Sequence, residues 1–189
     1  MASERSQRGR PRQFDPELAL DRSIDLFWAH GQSAVSLRTL GAELGVSQSS
    51  LYNTFGSKDD LINSAVARYE EQLDAQVFAE LETPSREALL RFVDALRDWV
   101  GTDRHRGCLV LNLAAEDPRH HFRMHRYRSR LLAEVGKSLR TISDDERTGA
   151  RAQLIVAALF GLTLSARTGA EPRALDEIAD GIKLQIQHW

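Results

Sequence analysis

Between Gly45 and Lys58 the chain reads GVSQSSLYNTFGSK, where hydrogen-bonding side chains crowd together and charge is nearly absent. Gln48 carries an amide that donates and accepts. Ser47, Ser49 and Ser50 carry hydroxyls that do either, and Tyr52, Asn53 and Thr54 repeat these chemistries a turn later. Neutral groups of this kind suit the reading of a patterned array of donors and acceptors, such as base-pair edges. Leu51 and Phe55, four residues apart, are placed to hold the opposite side of the stretch against a scaffold. Nucleophilic catalysis through the lone Cys108 does not fit, because no Asn or Asp is evident to orient it, and no catalytic residues are assigned.

The elements around the stretch are legible from their punctuation. Asp15 caps a first helix with Pro16 at its first position, Leu20, Ile24, Phe27 and Trp28 recur at helical spacing, and Gly31 ends it. Ser36 caps a second helix, with Val35 and Leu40 placed as a hydrophobic staple and Leu37, Leu40 and Leu44 as its apolar face. Gly45 suits a left-handed corner, and Val46, Ser47 and Leu51 repeat the staple and cap. Two short helices joined at a glycine corner are a helix-turn-helix, whose second helix enters the DNA major groove N-terminus first. Gln48 then suits adenine, and Ser49 and Ser50 suit base edges or phosphate. Tyr52 and Asn53 suit a base or phosphate, and Thr54 and Lys58 suit the backbone.

Ser57 caps a fourth helix whose stripe of Leu61, Ile62, Val66, Tyr69, Leu73, Val77 and Leu81 is broken by Pro84. Helical patterns follow over about 85–100, 108–116, 118–142, 145–168 and 173–189, and strand alternation is absent. The predicted fold is all-α with about nine helices. A three-helix helix-turn-helix domain at 14–60 follows a flexible basic arm at 1–13 and precedes a larger helical effector-binding and dimerisation domain at 61–189. The segment AQLIVAALFGLTLSA is apolar nearly all round, and Leu175, Ile178, Ile182, Ile186 and Trp189 form one stripe. Two such helices from each of two copies would make a four-helix bundle, with Leu159, Leu162, Ile178, Ile182 and Ile186 as the expected dimer seam.

Composition bounds the function. The 189 residues carry 42% hydrophobic and 28% charged side chains and a net charge of −2, so any nucleic-acid footprint must be local. The first sixty residues hold seven Lys/Arg against eight Asp/Glu, so placement rather than bulk charge must supply affinity. The sequence leads us to expect no membrane-spanning run and no secretory signal, and a lone Cys108 fits a reducing cytoplasm.

The segment ALDRSIDLFWAHGQSAVSLRTLGAELGVSQSSLYNTFGSKDDL resembles the DNA-binding domain of the TetR (tetracycline repressor) family. The likeness rests on the small-residue turn, the Leu-Tyr pair, the Phe and the Ser-Lys-Asp-Asp-Leu entry to the fourth helix, and covers about the first third of the chain. It implies a homodimeric transcriptional regulator, usually a repressor released from a palindromic double-stranded operator by a small-molecule effector. The family's base-contacting places fall on Arg38, Gln48, Ser49 and Tyr52, and its phosphate-contacting places on Ser50, Thr54 and Lys58. Gly41 departs from the family's usual alanine, and a glycine within a helix costs about 1 kcal/mol.

Other motifs point to regulation. RGRPR, with Arg10 and Arg12, resembles the Arg-Gly-Arg-Pro core of an AT-hook and suits a narrow minor groove. Cys108 follows Arg104, His105 and Arg106 near a helix start, which favours the thiolate. Some similar TetR-type regulators answer electrophiles or oxidants through such a cysteine, which makes Cys108 either a thiol sensor or a buried apolar residue. In PRHHFRMHRYRSR, His121 and His125 lie a turn apart without a third ligand, so no metal is expected, and the helix reads as a solvated arginine-rich face. Phe92, Leu96, Trp99, Asn112, Leu113, Phe122 and Phe160 are expected to line a pocket for an unidentified effector, or equally to fill a core. No cofactor is implied. The alternative function is a ligand- or redox-responsive interaction protein that has lost operator recognition.

Overall fold

A computed structural model describes residues 14–101 and 107–189. The basic arm with Arg10 and Arg12, and the charged triplet before Gly107, lie outside the described residues. Among those described there are nine α-helices and no strand. They are α1 (Pro16–His30), α2 (Leu37–Leu44), α3 (Gln48–Phe55), α4 (Lys58–Gln76), α5 (Arg86–Val100), α6 (Leu109–Glu116), α7 (His121–Ile142), α8 (Thr148–Arg167) and α9 (Pro172–His188).

The first four helices start where their caps dictate. Asp15 accepts from the Glu17 amide at 2.9 Å, Ser36 from Thr39 at 3.0 Å and Ser47 from Ser50 at 3.1 Å. At Ser57 the arrangement is reciprocal: its Oγ accepts from the Asp60 amide, and the Asp60 carboxylate accepts from the Ser57 amide. Each satisfies an amide that the first turn would otherwise leave unpaired, a contribution of about 1 kcal/mol apiece. The fourth helix is shorter than its stripe suggests. It stops at Gln76, and Phe78–Leu81 tighten into a 3-10 turn that still buries Val77 and Leu81.

Leu40, Leu51 and Leu61 are fully buried with Ile24 and Phe27, and this small core runs on into the body through Ala65, Val66 and Tyr69 of α4. In the body, α8 packs against α5, α7 and α9. Contrary to the sequence expectation, α8 is long and apolar enough to cross a membrane by length and composition alone. Its Ile155, Val156, Leu159 and Leu162 are buried against neighbouring helices, as a core helix of a bundle requires.

The arginine-rich face of α7 is not simply solvated. Arg119 reaches Asp59 at 2.8 Å, Arg123 reaches Asn63 at 2.7 Å, Arg126 reaches Glu70 at 2.6 Å and Arg130 reaches Asp74. Residue numbers rise together on both sides, so α4 and α7 run parallel and are bridged by long side chains. Exposed pairs contribute at most about 1 kcal/mol each, so the ladder is better read as setting register than as supplying stability.

Candidate nucleic-acid interface

The corner between α2 and α3 is built from backbone needs. Gly45 sits in the left-handed region at φ 65°, where a side chain would be strained. Gly41 has a packing reason of its own: a Cβ there would lie 2.5 Å from the Val46 carbonyl oxygen. The Val46 amide donates to the Gly41 carbonyl at 2.8 Å, so the turn lies directly on the α2 backbone. The expected loss of helix propensity is thus the consequence of a close approach.

On α3 the two sides differ sharply. Leu51 is fully buried, whereas Tyr52 is 60% exposed. Phe55 is half-buried with its ring 6.4 Å from that of Phe14, which pins the end of the helix. Gln48, Ser49, Tyr52 and Asn53 are exposed, and so is Arg38 on the first turn of α2. The serines are organised among themselves: Ser47 Oγ lies 2.9 Å from Ser49 Oγ and 2.8 Å from Ser50 Oγ. That knot leaves the Gln48 amide, the Tyr52 phenol and the Asn53 amide as the longer polar groups on the outward face. Thr54 is half-buried at its edge. Lys58, also half-buried, donates from Nζ to the Gln32 carbonyl at 2.5 Å, which leaves the ammonium further donors.

Acid near this unit is partly neutralised. Arg68 of α4 lies 3.6 Å from Glu17 and 3.4 Å from Asp21, and Arg22 lies 3.5 Å from Asp25. α3 itself carries no charged side chain.

The expected effector residues separate into interior and surface. Phe92, Leu96 and Leu113 are buried in the core, and Trp99, Asn112 and Phe160 are half-buried. Phe122 is a correction: it points outward, 59% exposed, beneath the Arg123 guanidinium, and cannot line an interior site. Sequence reading missed Trp28, Tyr69 and Tyr127. The rings of Trp28, Tyr69 and Trp99 meet edge-to-face or tilted with centroids within 5.6 Å, the Trp99 indole N–H donates to the Tyr69 hydroxyl at 2.9 Å, and Tyr127 stacks on Phe160.

Cys108 is buried beside Tyr69 and Tyr127 of this group. Burial pushes its thiol above the ordinary value, against smaller opposing effects that include hydrogen bonding with Tyr69 and Tyr127. The thiolate expected from the sequence is therefore disfavoured, because desolvation outweighs the helix start.

The expected dimer seam also needs correction. Leu159, Leu162 and Ile186 have no exposed surface left within one chain, so they belong to its own core. Large apolar side chains that remain exposed on α8 and α9 are Leu154, Leu164 and Leu184. Beside Leu154 runs an apolar groove of about 270 Å³, lined among others by Ala158, Ile178, Gly181, Ile182 and Trp189. Ile178 and Ile182 border this groove.

A capped helix-turn-helix with a neutral polar outer face, mounted on an all-helical body, defines a class of DNA-binding protein. Residues 19–65 match the family described as bacterial regulatory proteins, tetR family. An uncharacterized HTH-type transcriptional regulator, YezE of Bacillus subtilis, is 38% identical over 125 residues, covering 63% of each chain. The HTH-type transcriptional repressor ComR of Escherichia coli is 34% identical over 113 residues, 57% of this chain and 53% of its own. The matched stretches thus span less than two thirds of these relatives' lengths. Among solved structures, a cysteine-substituted TetR-family regulator CifR, complexed with 26-base-pair operator DNA, is similar with a TM-score of 0.82 at 26% identity, over 93% of this chain and 98% of that one. SCO4454, a TetR-family regulator of Streptomyces coelicolor, has a TM-score of 0.77 at 25% identity, over 89% and 93%. Residues 19–65 thus carry the tetR-family DNA-binding domain, and the chain as a whole is similar in fold to TetR-family regulators.

Proposed function

We propose that this protein is a homodimeric, sequence-specific regulator that represses transcription at a palindromic operator until an effector arrives. The observation that carries this reading is α3: a short helix whose buried Leu51 anchors it and whose exposed face is Gln48, Ser49, Tyr52 and Asn53. Gln48 and Tyr52 read bases with Arg38 and Ser49. Ser50, Thr54 and Lys58 set the register on phosphates. Residues 14–60 form the reading unit, and 61–189 bind the effector and dimerise.

The dimer forms through the exposed α8–α9 face, because the exposed Leu154, Leu164 and Leu184, and the apolar groove that Leu154 borders, need cover. Two copies on a two-fold axis present two α3 helices to successive major grooves, roughly 34–36 Å apart. The reading is supported by a relative named as a repressor and by a structural neighbour in complex with operator DNA. The effector site lies at the aromatic group around Cys108. A small apolar molecule suits it better than a freely diffusing oxidant, because the thiol is buried and kept protonated.

Selection of bound duplexes from a random pool tests the proposal. The expected result is a two-fold symmetric motif whose affinity falls with salt. Recovery of no enriched motif would contradict it.

A further inference from the structure

Besides the Trp28 indole on the Gly107 carbonyl and Arg167 on the Trp28 and Ala29 carbonyls, a group of ties between the reading unit and the body gathers at the turn between α6 and α7. Gln32, in the loop between α1 and α2, is a polar residue only 6% exposed. Its side-chain nitrogen donates to Asp117 Oδ2 at 3.3 Å, and its side-chain oxygen lies 3.0 Å from His120 Nε2. Its backbone carbonyl accepts from Lys58, the first residue of α4. The next residue in the loop, Ser33, donates its amide to Glu116 at 3.3 Å. From the same turn, Arg119 joins Asp117 and Asp59 at 2.8 Å each.

A single turn of the body therefore grips the reading unit twice. One grip holds the loop that leads into α2, and the other holds the first turn of α4. The helix-turn-helix lies between them in sequence. Rotating the unit about α4 alone would break the loop grip, so the two contacts together constrain its tilt at this end, as Arg167 does at the end of α1.

The side chain at position 32 is dictated by what faces it. Asp117 is held ionised by its hydrogen bonds to Arg119 and can only accept. Burial holds His120 below its ordinary value, so the ring is neutral near pH 7 and donates from Nε2 to the glutamine oxygen. One side chain must donate to the first and accept from the second, which an amide does and a carboxylate or an amine does not.

We infer that Gln32, braced by Asp117, Arg119 and His120, is a positioning residue that sets the tilt of each reading helix and hence the half-site spacing the dimer accepts. This inference rests on the proposed DNA-binding dimer. It adds a determinant of specificity that lies outside the base- and phosphate-facing set.

The test measures affinity for the selected operator and for versions with one or two base pairs inserted into or removed from its centre. Gln32→Met keeps length and apolar bulk while removing both side-chain hydrogen bonds. Arg119→Ala, at an exposed side chain, cuts the link to α4 with little demand on folding. Stability against denaturant is followed in parallel. The expected result is that the wild type prefers one spacing, and that both variants reduce this preference by about fivefold or more, the lower end of coupling between sites. If Gln32→Met fails to fold, Arg119→Ala decides alone. Variants that weaken binding equally at every spacing, or keep the wild-type preference, overturn the inference while leaving the proposed function standing. A wild type that selects no symmetric site overturns both, and is distinguished because the unmodified protein itself fails.

Discussion

The α3 helix and the α8–α9 face both hold large side chains in water, and they do so in opposite ways. On α3 the exposed groups end in hydrogen-bonding atoms: the Gln48 and Asn53 amides and the Tyr52 phenol. On α8 and α9 they are Leu154, Leu164 and Leu184, and Leu154 borders a largely apolar groove. Neither surface is needed to fold one chain, because Leu51 anchors α3 and Leu159 and Leu162 anchor α8 from beneath. Each surface therefore points to a partner, and its polarity identifies the kind. A hydrated, patterned surface such as a DNA groove matches α3, and a second apolar surface matches α8–α9.

The largest effect should come from confusing the two sides of α8. Leu162→Arg places a charge where no solvent reaches, and the chain should fail to fold, as circular dichroism would register. Leu164→Arg with Leu184→Arg touches solvent-facing positions instead. That chain should stay helical, sediment as a monomer and lose most of its operator affinity. A folded double variant that remains dimeric would move the seam elsewhere.

Smaller effects sharpen the other side of the comparison. Gln48→Ala and Tyr52→Ala should each cost about 1–3 kcal/mol of discrimination at particular base pairs, read as changes in the selected motif. Leu51→Ala differs in kind: removal of a buried leucine should cost about 2–5 kcal/mol of stability, seen in denaturant unfolding, with binding lost as a consequence.

The smallest effect concerns Cys108. Its folded-state value is raised by burial, so the stabilisation it reflects is present below the unfolded thiol's value and lost as pH rises above about 9. Thermal scans should show an alkaline decline that is shallower in Cys108→Ser, and Tyr69 and Tyr127, also raised by burial, add to the decline above about pH 10. In the native protein, thiol reagents at neutral pH should react far more slowly than in urea.

What the sequence made legible was local. Asp15, Ser36, Ser47 and Ser57 bond to amides two or three residues away, so their types and positions were enough to place four helix starts. Gly45 announced its corner for the same reason. The inner side of α8 was not legible, because a helix apolar all round has no polar stripe to mark which leucines face water. Nor was the setting of Cys108 or of Gln32, whose partners lie far along the chain. The arginine ladder left a partial trace: Arg119 and Arg123 are spaced as Asp59 and Asn63 are, and Arg126 and Arg130 as Glu70 and Asp74, but the middle step is three residues on one side and seven on the other.

Two α3 helices, held together by α8 and α9, are proposed to read one site as a pair. Stoichiometry on the selected operator tests it most directly, with light scattering of the complex and titration of a half-site duplex alongside. An even number of chains is expected, two for each symmetric site, with far weaker binding to the half-site than to the whole. A single chain on the full operator, with half-site and full-site affinities equal, would contradict it.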